Sequence, residues 1–181
     1  MKKLVPINNY RGRQIKMLLA FFIISYSFLI SSCHVYTFRD VSIDYSKYKT
    51  IKIGFIENKA QRVNPQLSSQ LTDKLQQKIA NQTRLTRTNN DDAHYQVSGY
   101  ISDYSVSTSG VNAQQAATNR LTVGVHIKLK NTIENKDTEF DISRNFDFAA
   151  TLSIDQAQAQ LQEEMTRGLT DEIFNRLFSN W

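Results

Sequence analysis

The chain has 181 residues, 22 basic and 17 acidic side chains, a formal net charge of +5 and one cysteine. A single cysteine excludes an internal disulfide, and only 2 prolines exclude a proline-rich linker. The first element in chain order is a leader. Lys2, Lys3, Arg11, Arg13 and Lys16 precede an apolar run from Met17 to Ile30, and no acidic residue occurs before Asp40. A positive segment, a short apolar segment and then small residues is the layout of a secretory signal peptide. The run is about fourteen residues, short of the roughly twenty that cross a bilayer as a helix.

The run closes on Ile30-Ser31-Ser32-Cys33, which resembles the bacterial lipobox. That resemblance implies a diacylglyceryl group on the Cys33 thiol, cleavage before it, and acylation of the new amino terminus. Residues 1–32 are then the signal peptide and 33–181 the mature domain. More than one acyl chain gives a stable anchor without a spanning helix. His34 stands where an aspartate favours inner-membrane retention under the sorting rule of enteric bacteria, so the expected place is the periplasmic side of the outer membrane.

All five leader cations leave with the signal peptide. The mature part then carries 17 basic and 17 acidic residues, so the sequence pI near 9.3 belongs to the leader. A basic patch for nucleic acid is not expected. Any anionic ligand must meet a local cluster.

Residues 34–46 read as a tether. A first strand spans Thr50 to Ile56, with Ile51, Ile53 and Phe55 alternating with Lys52 and Gly54. Asn64 caps a helix with Pro65 at its first position. Leu67, Leu71, Leu75 and Ile79 form its stripe, while Ser68, Thr72, Gln76, Lys78 and Gln82 fill the other faces. Residues 83–93 read as a loop. A strand follows from His94 to about Ser107, with Gln96, Ser98, Tyr100, Ser102 and Tyr104 on its outward face. Residues 108–118 are small and polar and read as a long loop.

The strand 119–133 has the clearest alternation. Leu121, Val123, Val125, Ile127 and Leu129 face one way; Arg120, Thr122, His126, Lys128 and Lys130 face the other. A turn at Asn135-Lys136-Asp137 leads to a strand from Thr138 to Phe148. A last helix, about 155–179, is capped by Asp155. Its stripe is Ala157, Leu161, Met165, Leu169, Ile173 and Leu177, with Gly168 inside it. The order β-α-β-β-β-α predicts an α+β two-layer sandwich. Its four-stranded, mainly antiparallel sheet carries two helices on one face and leaves the other open.

Several segments carry a family resemblance. They are Cys33-His34-Val35-Tyr36-Thr37-Phe38, Val63-Asn64-Pro65-Gln66-Leu67-Ser68, Asn119-Arg120-Leu121-Thr122-Val123, and Asp171-Glu172-Ile173-Phe174-Asn175 through Asn180-Trp181. Their order and spacing resemble the LptE family of lipopolysaccharide-assembly lipoproteins, in its Bacteroidota branch, over nearly all of the mature chain. His34 replaces an expected glycine. The resemblance implies a non-enzymatic partner of the LptD β-barrel that sits within the barrel, binds lipopolysaccharide and helps insert it into the outer leaflet.

Candidate site residues follow. Arg120, Lys128 and Lys130 suit lipid A phosphates through charge-assisted hydrogen bonds; an ordinary solvated strand face has the same pattern. Tyr100 and Tyr104 are candidate partner anchors, with cross-strand packing as the alternative. His34, His94 and His126 show no metal spacing, and no cofactor is expected beyond the covalent lipid on Cys33. No nucleophile–base pair or phosphate loop stands out, so an enzyme is not expected. The competing reading is a periplasmic lipoprotein acting as a protein-binding scaffold in another envelope or secretion complex.

Overall fold

The computed structural model describes residues 43–109 and 118–178. The leader, Cys33, the tether from 34 to 42, most of the 108–118 loop and residues 179–181 lie outside the described residues. In chain order, Thr50–Ile53 forms β1, Glu57–Asn58 β2, Pro65–Gln82 helix α1 and Thr86–Arg87 β3. Then come β4 (Tyr95–Ser109), β5 (Thr118–Asn131), β6 (Lys136–Ala149) and helix α2 (Ile154–Phe178).

The α+β class stands, but the sheet is larger and more mixed than expected. Six strands take part, in the order β3-β1-β4-β5-β6, with β2 also beside β4. The long strands β4, β5 and β6 are antiparallel; β1 runs parallel to β3 and β4, and β2 parallel to β4. The stretch read as one strand from Thr50 to Ile56 is broken. Gly54 N–H still donates to Val97 O at 2.8 Å, after which the chain leaves the ladder and rejoins it at Glu57. Between them Phe55 turns out to solvent while Ile56 is fully buried. The loop expected at 83–93 contains β3, and the hairpin turn falls at residues 132–135, with Asn135 at φ 49°. Asparagine tolerates that left-handed conformation better than most residues.

Alternation on β5 decides which face is buried. Leu121, Val123, Val125 and Ile127 are at 0% exposure, beneath the two helices. On α1, Leu67, Leu71, Leu75 and Ile79 close over them, joined on α2 by Ala157, Leu161, Met165, Leu169 and Ile173. Gly99 stands in this face opposite Ile127; a β-carbon there would lie 2.4 Å from the His126 carbonyl oxygen.

Two helix residues outside the apolar stripe, Ser68 and Thr72, are buried, and Thr72 lies against the break between β1 and β2. Thr72 Oγ1 donates to Ser68 O at 2.8 Å and accepts from Ile56 N–H at 3.0 Å. It thereby satisfies a buried amide that the sheet leaves unpaired.

The helices run parallel, because their cross-pairs advance together. Asn64 meets Gln162, Gln70 meets Gln162 and Thr166, and Lys78 meets Asp171. Asn64 does more than cap. Its Oδ1 accepts from Leu67 N–H at 3.2 Å, and its Nδ2 donates to Tyr104 Oη at 3.3 Å and Gln162 Oε1 at 3.2 Å. The cap of α2 is Ser153 rather than Asp155. Ser153 Oγ accepts from Gln156 N–H, and Gln156 Oε1 accepts from Ser153 N–H, a reciprocal capping box. Gly168 also gains a reason. The Arg144 side chain of β6 lies across the helix there, donating to Gly168 O and pairing with Glu172, and a β-carbon would stand 3.1 Å from its Nε.

Candidate binding face

The side of the sheet away from the helices holds the sequence-predicted site. Its chemistry follows from register. On β5 and β6, Arg120 stands opposite Asp147, Thr122 opposite Asn145, His126 opposite Asp141, Lys128 opposite Glu139 and Lys130 opposite Asp137. Opposite charges directly across a strand pair attract, and most rungs close. Arg120 donates to Asp147 through both Nε (2.7 Å) and Nη2 (3.0 Å). Lys128 reaches Asp137 at 2.8 Å and Glu139 at 3.0 Å. His126 Nδ1 lies 2.9 Å from Asp141, and Thr122 donates to Asn145. The fork on Arg120 holds the Asp147 carboxyl below the usual carboxylate range, and the hydrogen bonds to Asp137 and Glu139 raise the Lys128 ammonium.

The three candidate cations therefore differ. Arg120 and Lys128 are already neutralised, whereas Lys130 is exposed and, among the described residues, has no carboxylate partner. They are also not one cluster. Lys128 and Lys130 are neighbours on the pleat, but Arg120 lies eight positions from Lys128, roughly 26 Å along an extended strand.

The two tyrosines separate as well. Tyr100 keeps its place on the polar face, with its ring 5.0 Å from the His126 ring and 4.7 Å from the Lys59 ammonium. Tyr104, expected beside it, is at 3% exposure in the core. The cause is a bulge. Ile101 pairs with Val125 and Asp103 with Gly124, so Ser102 is an extra residue on β4. One extra residue reverses the alternation beyond it, and Tyr104 turns inward to Asn64. Burial pushes its hydroxyl pKa up. It is not an exposed anchor.

A second group, at the end where β1, β3 and β6 begin, was not singled out in the sequence. Tyr48 and Lys47 both donate to Glu134 in the β5–β6 turn, and Asn131 donates to the Tyr48 hydroxyl. Lys47 holds the Glu134 carboxyl below its usual range. The Tyr48 ring stacks on Tyr95, whose hydroxyl is pushed up to about 12, mainly by burial. Beside them, Ile43, Leu129, Leu177 and Phe178 line a cavity of about 260 Å³. No sequence spacing signals this group, since its members are up to 87 positions apart.

Between the helices an open groove of about 520 Å³ is lined by Gln70, Asp73, Lys74, Gln160, Gln162 and Glu163, among others. Among the described residues no cluster of His, Cys, Asp and Glu could hold a metal ion, and no helix is long and apolar enough to cross a membrane.

A family model described as LptE, lipopolysaccharide-assembly, matches residues 48–177. Curated proteins give no match. Among solved structures, a putative neuraminyllactose-binding hemagglutinin homolog from Helicobacter pylori is similar with a TM-score of 0.53. It is 9% identical, over 72% of this chain and 83% of its own. A hypothetical protein from Chlamydia trachomatis has a TM-score of 0.50 at 11% identity, over 72% of this chain and 95% of its own. At such identities the likeness concerns the fold.

Proposed function

The chain belongs to the LptE lipopolysaccharide-assembly family, and from that membership we propose a lipid-anchored, non-enzymatic subunit. It partners an LptD-type outer-membrane β-barrel and helps place lipopolysaccharide in the outer leaflet. The observation that carries this reading is the extent of the match. It runs from Tyr48, just before β1, to Leu177 in the last turn of α2, so it covers the folded unit rather than one motif. Residues 1–32 are removed, Cys33 takes the lipid, and the domain 33–181 is held at the periplasmic side of the outer membrane. No cofactor takes part.

The sheet face that the helices leave open is the surface for partner and lipid. Tyr100, steadied by His126 and Lys59, is the aromatic contact for the barrel. Lys130 is the cation free to meet a phosphate. Arg120 and Lys128 already hold carboxylates on β6, so a phosphate there shares the cation with those anions or displaces one of them.

Purification of the tagged full chain from membranes tests the partnership. A large outer-membrane β-barrel is expected in stable, roughly equal amounts; secretion or scaffold components without a barrel overturn it. Lipopolysaccharide capture tests the surface. Lys130→Glu should reduce it most, Arg120→Glu less because that cation already holds Asp147, and Lys74→Glu in the helix groove should not. Equal losses at all three positions contradict a local site. Lys78 would be a poor control, since its ammonium bonds Asp171 and lies over the Phe174 ring.

A further inference from the structure

We infer that the end of the domain formed by the lead-in to β1 and the β5–β6 turn rests on a phosphate-bearing lipid surface. The chain enters the described domain at Ile43, and Ile43 is buried at this end, lining a cavity with Asn131, Glu134, Lys136 and Phe178. Hydrogen bonds fix the neighbouring segments there: Thr86 N–H to Lys49 O at 2.7 Å, Lys49 N–H to His94 Nδ1 at 2.9 Å, Thr132 N–H to His94 O at 3.0 Å. Residues 47–49, 84–86, 94 and 131–136 therefore share one end of the sandwich.

The inference rests on the lipid-anchor reading for Cys33. Ten residue steps separate Cys33 from Ile43, and an extended chain covers at most roughly 36 Å over that length. The end that receives the chain is thus held within that distance of the acyl groups. The opposite end can stand farther off by up to the length of β5, 14 residues, or about 45 Å.

Charge and shape agree with that placement. Lys47 is spent on Glu134, and Asp137 is spent on Lys128. Lys49, Arg84 and Lys136 are exposed and, among the described residues, form no salt bridge with a carboxylate, although Lys136 helps to hold the Glu134 carboxyl low; Arg84 lies over the Tyr45 ring. Lys130 adjoins them on the polar face. Against these cations stand Asp44, bonded to Ser46, and Asp92. Ile133 projects from the turn at 43% exposure. An apolar residue at a tip, an aromatic ring and a surplus of cations fit the boundary between headgroups and acyl chains.

Site-specific fluorescence in vesicles tests this. Cys33 is the sole cysteine and is blocked by lipid, so a cysteine introduced by Ile133→Cys accepts a polarity-sensitive label alone. The lipidated full chain is reconstituted in vesicles of phosphatidylethanolamine and phosphatidylglycerol. The label at 133 should shift to the blue and be quenched by lipids brominated near the headgroup, whereas a label placed by Ser143→Cys on β6 should not. Each lysine or arginine near an anionic surface is worth about five-fold in partitioning. Replacing Lys49, Arg84 and Lys136 by Gln together should therefore lower the contact by on the order of a hundred-fold, with the chain still anchored. Vesicle-bound protein whose 133 label stays solvent-like overturns the inference and leaves the anchor intact. Protein that washes off the vesicles overturns the anchor and this inference with it. Equal shielding of the label in detergent, growing with protein concentration, assigns the end to a second copy and overturns the lipid contact.

Discussion

Ile127 and Lys128 are adjacent on β5 and live in different surroundings. Ile127 is fully buried beneath the helices and opposite Gly99; Lys128 is held in solvent between Asp137 and Glu139. The same contrast runs along the sheet. One face is set by shape and cannot be altered without leaving a void or forcing a clash. The other is set by opposite charges at matched rungs, each exposed and each replaceable by water. Stability resides in the first face, and the freedom to exchange partners resides in the second.

The contrast breaks most visibly at Ile127. Ile127→Ala should cost about 2–5 kcal/mol in chemical unfolding, with part of the loss coming from an unfilled cavity. A value under 1 kcal/mol would mean that the helices collapse onto the gap and the core face is softer than its packing implies.

Thr72→Val sharpens the boundary between shape and polarity. It keeps the volume but removes the acceptor for the buried Ile56 N–H, and should cost about 1–3 kcal/mol. Thr72→Ser, which keeps the oxygen, should recover most of that in the same assay. Equal losses for both would show that the methyl, absent only from Thr72→Ser, packs as usefully as the hydroxyl bonds.

The smallest expected effect lies on the polar face. Lys128→Gln should leave the unfolding midpoint at neutral pH almost unchanged. Asp147→Asn should act on the acid limb. The Asp147 carboxyl is depressed in the folded state by Arg120. Its contribution is therefore present above the ordinary carboxylate range and lost as pH falls through the lowered folded value. The variant should flatten the stability–pH curve in that window; an unchanged curve would show the fork to be energetically silent.

The sequence made the core of this sandwich legible because long elements repeat their pattern. The stripes of α1 and α2 and the alternation of β5 each recur often enough to average out exceptions. Two-residue strands such as β2 and β3 have no period to detect, and their pairing depends on β1 and β4, far away in the chain. The bulge at Ser102 was invisible for a related reason. Alternation across Tyr100 and Tyr104 looks regular on β4 alone, and only pairing with β5 reveals the extra residue. The cations at Arg120 and Lys128 were legible as residues. Their neutralisation depends on register, which puts Asp137, Glu139 and Asp147 at matching steps on the next strand. Fixing the hairpin at residues 132–135 would have aligned them. Asp155 has the chemistry of a cap, but the cap falls two residues earlier, where Ser153 and Gln156 satisfy each other.

The sheet order has a consequence in time. The first strand has both of its neighbours, β3 and β4, later in the chain. A polypeptide that emerges amino terminus first exposes β1 and the apolar stripe of α1 well before residue 95 exists to receive them. The later segment has no such wait, since β4, β5, β6 and α2 meet their neighbours in succession. The earliest-made segment therefore stays without its sheet partners until β3 and β4 exist, and that interval is when the nascent chain most needs protection from aggregation.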